Sequence, residues 1–385
     1  MSADPLRRSN SGPHSEPSRL RDFALRAWSV ALAALSILRV AAADELKETA
    51  VFTAGAEGYH TYRIPALLVT KGGTVLAICE GRKTGTGDHG DLDLVQKRST
   101  DGGKTWGPLE LIHEEGGTAK VTIGNPCPVV DQSTGVIWLP FTRDNDGVFV
   151  MSSKDEGKTW SQPREITADV KPKEWNWYAT GPGNGIQLKS GKYAGRLVIP
   201  CDHRVGTATK DDKTGWDKAG RSHVIYSDDH GATWKLGGAT DYSMNECAVI
   251  ERADGSLLLN SRSYRGKACR GVSISKDGGA TWEPTTDDPA LVESVCQASM
   301  IRAEGAAVLF SNPATPRGRH HLTVRLSLDD GQTWPHSRLI CEGPSAYSSL
   351  AVLPGGEIGL LYEQGPYKSL TLARFPLAWV KTAQN

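Results

Sequence analysis

Five copies of one octapeptide, Ser-x-Asp-x-Gly-x-Thr-Trp, punctuate the chain at Ser99–Trp106, Ser153–Trp160, Ser227–Trp234, Ser275–Trp282 and Ser327–Trp334. Their starts lie 54, 74, 48 and 52 residues apart. Periods of this size belong to propellers and arrays of small sheets. A second pattern recurs six times: a glycine turn leading into an apolar strand, as in Gly73-Thr-Val-Leu-Ala-Ile, Gly135-Val-Ile-Trp-Leu and Gly255-Ser-Leu-Leu-Leu. Each copy follows another short apolar strand, such as Ala66-Leu-Leu-Val, so the pairs read as hairpins. Six hairpins, five of them followed by a further strand and the octapeptide, predict an all-β, six-bladed β-propeller with four-stranded antiparallel blades. Thr49–Thr53 is expected to complete the last blade beside Ser369–Phe375, because closure protects edges that an open sheet leaves exposed.

The octapeptides invite a reading as calcium loops, but their residues are those of a structural turn. Asp accepts backbone N–H bonds, Gly supplies a positive φ, and Trp packs beneath. Seven cysteines, at 79, 127, 201, 247, 269, 296 and 341, include no C-x-x-C pair, so neither a zinc site nor a redox motif is indicated. An odd count leaves at least one thiol unpaired, and most are expected to be small core residues. No metal or organic cofactor is expected.

Basic and acidic side chains balance at 44 each, which gives no electrostatic case for nucleic acid or an anionic membrane as a partner. The first 43 residues differ from the rest. A polar stretch carrying Arg7, Arg8, Arg19, Arg21 and Arg26 precedes an apolar run from Ala27 to Leu38, then Ala41-Ala42-Ala43. This is the pattern of a signal peptide cleaved near Ala43, and the run is short for a membrane span. The expectation is a leader at 1–43, a propeller at 44–385, and a secreted or periplasmic protein.

Strand direction sorts the unusual polar residues. If strand 1 of each blade begins at the top, the octapeptide after strand 3 lies at the bottom. Residues at the start of strand 1 or just after strand 2 then lie at the top near the axis. Arg63, Asn125, Glu246 and Tyr347 begin first strands; Glu80, Arg82, Asp88, Arg262, Arg317, Arg319 and Glu363 end or follow second strands. One central site with several arginines, a few carboxylates and a tyrosine is predicted. Arginine grips a carboxylate with a planar two-point fork, and neighbouring carboxylates suit acid–base work on a glycoside. The histidines are scattered, with His203, His320 and His321 read as ordinary loop residues.

Tyr62-Arg63-Ile64-Pro65 resembles the [Phe/Tyr]-Arg-Ile-Pro signature of exo-α-sialidases, and the octapeptides resemble their Asp boxes. The resemblance covers about residues 50–378. It implies that Arg63, Arg262 and Arg319 clamp the sialic acid carboxylate, with Arg317 a competitor for the third place. It also implies that Tyr347 is the nucleophile, Glu246 its paired carboxylate and Asp88 the acid/base. Glu363 would orient Arg63, while Arg82 and Asn125 would add substrate contacts. Asp91 and Asp93 alternate with Leu92 and Leu94 and read as strand residues. A tyrosine nucleophile is a known exception to the two-carboxylate rule. It also suits a substrate whose anomeric carbon carries a carboxylate, because a neutral nucleophile avoids like-charge repulsion. The implied partners are sialylated glycoproteins, gangliosides and oligosaccharides. The stretch Pro200-Cys-Asp-His-Arg departs from animal relatives, which place tyrosines there against the glycerol side chain; Asp202 or Arg204 is the expected replacement. Three alternatives stay open: a trans-sialidase with Trp175 or Trp177 as acceptor platform, a hydrolase of a related ulosonic acid, and a non-catalytic glycan-binding propeller.

Overall fold

The computed structural model describes residues 46–206 and 215–382; the expected leader at 1–43 lies outside the described residues. Antiparallel sheets follow one another along the chain. The first runs Thr61–Val69, Val75–Arg82, Leu92–Ser99, Glu110–His113. In the second, the opening strand is split into two short pieces, Ile123–Gly124 and Val129–Val130, both paired with Ile137–Arg143. Prolines 126 and 128 lie in the gap, where a missing N–H cannot join the ladder. The third sheet centres on Leu197–Val205 and the fourth opens with Met244–Glu251. A seven-stranded sheet ends the series, with the 17-residue strand His336–Val352 pairing first with His320–Ser327 and then with Ile358–Gln364. Its outer strand is Lys47–Thr53 on Ser369–Phe375, so the expected pairing of the two ends of the domain is present.

Alternation along the strands buries one apolar set on each face, and the cores lie between consecutive sheets. One cluster joins Ala66 and Ile78 of the first sheet to Leu139 and Phe141 of the second. Others join second to third, third to fourth and fourth to the next. The ring closes where Leu67 and Val75 of the first sheet pack with Leu361 and Leu372 near the C-terminus. The architecture is all-β and propeller-like.

All five octapeptides form the same turn. In the first, Ser99 Oγ donates to Asp101 Oδ1 (2.8 Å), and Thr105 bonds Asp101 through its N–H (2.9 Å) and its hydroxyl (2.7 Å). Gly103 donates its N–H to Ser99 Oγ at φ 81°, a left-handed conformation that favours glycine. Trp106, Trp160, Trp234, Trp282 and Trp334 each pack on a different core cluster. All seven cysteines are free thiols, six of them buried.

Candidate active site

Three first strands carry site residues on the same kind of irregularity. Pairing slips between Arg63 and Ala66, between Met244 and Cys247, and between Ser345 and Ser348. Such bulges re-aim side chains at the end of a sheet, and these three turn Arg63, Glu246 and Tyr347 towards one another. The cost is visible at Ile64, a β-branched residue at φ 60°. Glu363 offsets it. This fully buried carboxylate accepts the Ile64 N–H (3.0 Å), the Tyr347 N–H (3.1 Å) and two bonds from the Arg63 guanidinium (3.0 and 3.3 Å). One side chain therefore fixes both the first arginine and the tyrosine backbone.

Tyr347 Oη donates to Glu246 Oε1. Arg262 Nη1 lies 2.7 Å from Glu246 Oε2 and donates to Tyr347 Oη at 3.3 Å; its Nη2 donates to Tyr264 Oη at 2.8 Å. The guanidinium carbons of Arg63 and Arg319 each sit 5.4 Å from the centre of the Tyr347 ring. Burial and then the Glu246 charge push the Tyr347 pKa well up, against the opposing pull of Arg262 and Arg319. The resting side chain is thus a phenol, with a base already on its proton.

Asp88 reaches Arg63 from a loop, its side chain 69% exposed. Oδ1 is 2.9 Å from both Arg63 Nη1 and Arg82 Nη1. Desolvation works to raise its pKa, but Arg82 and then Arg63 outweigh it and hold the carboxyl below its ordinary range. Arg82 is anchored by Glu80 (2.6 Å) and by the carbonyls of Thr86 and Gly87. Glu80 in turn accepts the N–H of Asn125, itself at φ 57°. Among the described residues, Arg319 makes no ion pair and no group of His, Cys, Asp and Glu is arranged to hold a metal ion.

Residues 73–360 match the BNR repeat-like domain. A sialidase of Micromonospora viridifaciens is 39% identical over 85% of this chain and 53% of its own length. One of Bacteroides fragilis is 34% identical over 80% of this chain and 61% of its own. The solved Hadza microbial sialidase Hz136 superposes with a TM-score of 0.75 at 30% identity, covering 86% of this chain and 69% of that one. The chain belongs to the sialidase family. It spans about half to three fifths of the length of those two curated relatives.

Against this family background, several expected residues fall elsewhere. Arg317 is exposed, whereas Arg319 lies over Tyr347, which favours Arg319 as the third arginine. Asn125 commits its side-chain amide to Thr142 Oγ1 (3.0 Å) within the second sheet. Asp202 and Arg204 were the expected outer contacts, yet both are buried: Asp202 accepts from Asn245, and Arg204 lies against the Trp216 ring. Trp175 is no platform, because it is buried and stacked on His203 at 3.4 Å. His203 is not in a loop; it lies within the strand Leu197–Val205, its Nδ1 3.0 Å from that of His223. His320 and His321 likewise open a strand. Asp93 is a strand residue as expected, held by Tyr59 Oη (2.6 Å), with Asp91 just before that strand. Two residues of the site have no counterpart among the expected ones. Tyr264, the residue just past the strand Leu257–Ser263, bonds Arg262 from two positions along the chain. Tyr367, whose ring lies 4.1 Å from the Arg63 guanidinium, sits in a turn that carries no sequence signal.

Proposed function

We propose that this chain is an exo-α-sialidase that removes terminal α-linked sialic acids from glycoproteins, glycolipids and oligosaccharides with net retention of configuration. The observation that carries the reading is the Tyr347–Glu246 hydrogen bond set among Arg63, Arg262 and Arg319. In this reading the substrate carboxylate takes the three arginines and displaces Asp88 from Arg63. Freed of one cation, the Asp88 carboxyl regains a higher pKa and can protonate the leaving oxygen. Tyr347 attacks the anomeric carbon as Glu246 takes its proton; Asp88 then activates water to break the adduct. The seven-stranded sheet counts as two blades sharing the strand His336–Val352, giving six. The leader at 1–43 directs export, with cleavage near Ala43, which mass spectrometry of the exported protein tests.

The deciding assay uses a fluorogenic sialoside with residues 44–385, beside its deaminated analogue and without added metal. Release of sialic acid above a Tyr347→Ala control at pH 4–8 is expected, that range being roughly where carboxyl pairs are tuned. No release sinks the enzyme reading.

Transfer to a sugar acceptor keeps one support. An aromatic row runs from His89 to Trp177 (6.0 Å), Trp216 (5.8 Å) and Tyr264 (6.0 Å), from the Asp88 loop to Arg262. Sialylated lactose among the products, in the presence of lactose, would favour transfer over hydrolysis.

A further inference from the structure

Glu246 occupies a bulge, and a bulge has no ladder of its own to hold it in place. The neighbouring sheet holds it instead, on both flanks. Asp202 and Ser222 are directly opposite each other on paired strands of that sheet. Asp202 Oδ2 accepts from Asn245 Nδ2 at 2.7 Å, and the Ser222 hydroxyl donates to the Asn245 carbonyl. On the other side, the Cys247 thiol donates to the Cys201 carbonyl at 3.3 Å. All of these side chains are buried. The residue between the two anchored ones is the base on Tyr347.

We propose that Asp202 is a positioning residue: by holding Asn245 from the adjacent sheet it sets the approach of Glu246 to the Tyr347 hydroxyl. The proposal rests on the sialidase reading only for its kinetic arm. An acceptor oxygen at this point is what the geometry requires, and a negative charge is not. Burial and then the Glu246 charge push the Asp202 pKa well up, against the opposing pull of Arg262. Asparagine keeps an acceptor there and alanine removes it.

The test compares Asp202→Ala, Asp202→Asn and Asn245→Ala in folded protein. With a fluorogenic sialoside, Asp202→Ala and Asn245→Ala should each lower kcat about 10–100-fold, the scale of a 1 Å misplacement, with a much smaller change in KM because Arg262 alone of the three arginines is bonded to Glu246. The double variant should be no worse than either single one. Asp202→Asn should stay within about threefold of the parent. A second readout does not need activity. In protein carrying ¹³C-labelled tyrosine, the Tyr347 ring-carbon resonance, assigned by Tyr347→Phe, should move in the alanine variants and hold in Asp202→Asn. If the parent protein shows no turnover, the sialidase reading fails while the resonance still decides this one. Parent-like kinetics and resonance in both alanine variants overturn the proposal. So does equal loss in Asp202→Asn and Asp202→Ala, and so does a matching rise in KM. Should Asp202→Ala fail to fold, Asn245→Ala breaks the same bond from the other side, and the same results support or overturn the proposal.

Discussion

The two ends of these sheets solve opposite problems. At the end where third strands finish, five turns repeat one hydrogen-bond set, each closed within eight residues. At the other end three bulges recur but the bonds are long-range and individual: an isoleucine at positive φ and a single carboxylate serving partners about 300 residues away. Local turns are independent of one another and tolerate loss. The site is a shared network in which each member serves several others, so removing one should be felt by all.

The largest effect separating the two ends is chemical. Tyr347→Phe keeps the ring against Arg63 and Arg319 but removes the oxygen that bonds Glu246. Covalent labelling by a fluorinated sialoside should vanish while the fold survives. Glu246→Gln should slow turnover on the order of 10²–10⁴-fold through lost base catalysis. Early proton NMR should find the α-anomer as first product, since two displacements restore configuration. A first-formed β-anomer, or a label on another residue, breaks the assignment of Tyr347.

Next in size is Glu363→Ala, which strips an anchor from Arg63, Ile64 and Tyr347 at once. Removing one partner of a buried ion pair costs about 3–5 kcal/mol. The expected outcome is a large fall in both melting temperature and turnover. A variant that loses activity with stability intact would show that the strained backbone stands without its carboxylate.

Acid should separate interior from turns. Burial, and then Arg221, lowers His223 to about 3, and burial and His223 hold its neighbour His203 well below the ordinary value. With both folded pKa values depressed, the unfolded chain binds protons first. Stability therefore falls as pH drops below about 6.5 and keeps falling towards the folded values. In the turns, the Thr159 bonds hold Asp155 at about 2 against its burial. Its contribution is complete above about 4 and is lost as pH falls through 2. Melting scans at pH 7, 5.5 and 4.5 should thus decline before the turns titrate, and His223→Gln should flatten that limb. An unchanged limb in His223→Gln would remove the histidine pair from the account.

The contrast also explains what could be read in advance. The turns and hairpins were legible because each is set by residues within one period, and closure by Lys47–Thr53 followed from the need to cover an edge. Arg63 and Tyr347 were legible through strand direction and family resemblance. The bulges were not, because a register slip depends on partners in the opposing strand. The inward turn of Asp202 and the burial of Trp175 under His203 were not, because a strand residue's face is settled by the neighbouring sheet.

The smallest expected effect tests the other half of the comparison. Asp277 accepts from Ser275 Oγ (2.8 Å), the Thr281 N–H (2.8 Å) and the Thr281 hydroxyl (2.6 Å), all within its own turn. The Thr281 donors lie at the surface, where water replaces much of what alanine removes, whereas the buried Ser275 hydroxyl loses its acceptor. Asp277→Ala should therefore cost about 1 kcal/mol, a single net hydrogen bond's worth, and lower the melting temperature by a few degrees at most. The turn follows a third strand, at the opposite end of the sheet from Glu246 and Arg262, so kcat and KM of the folded protein should match the parent. Pairing Asp277→Ala with Asp101→Ala sharpens the point. The Asp bonds of each turn stay within that turn and each tryptophan packs on its own cluster, so the two losses should add. Lost turnover with unchanged stability would place this turn in the site's network and collapse the distinction between the two ends.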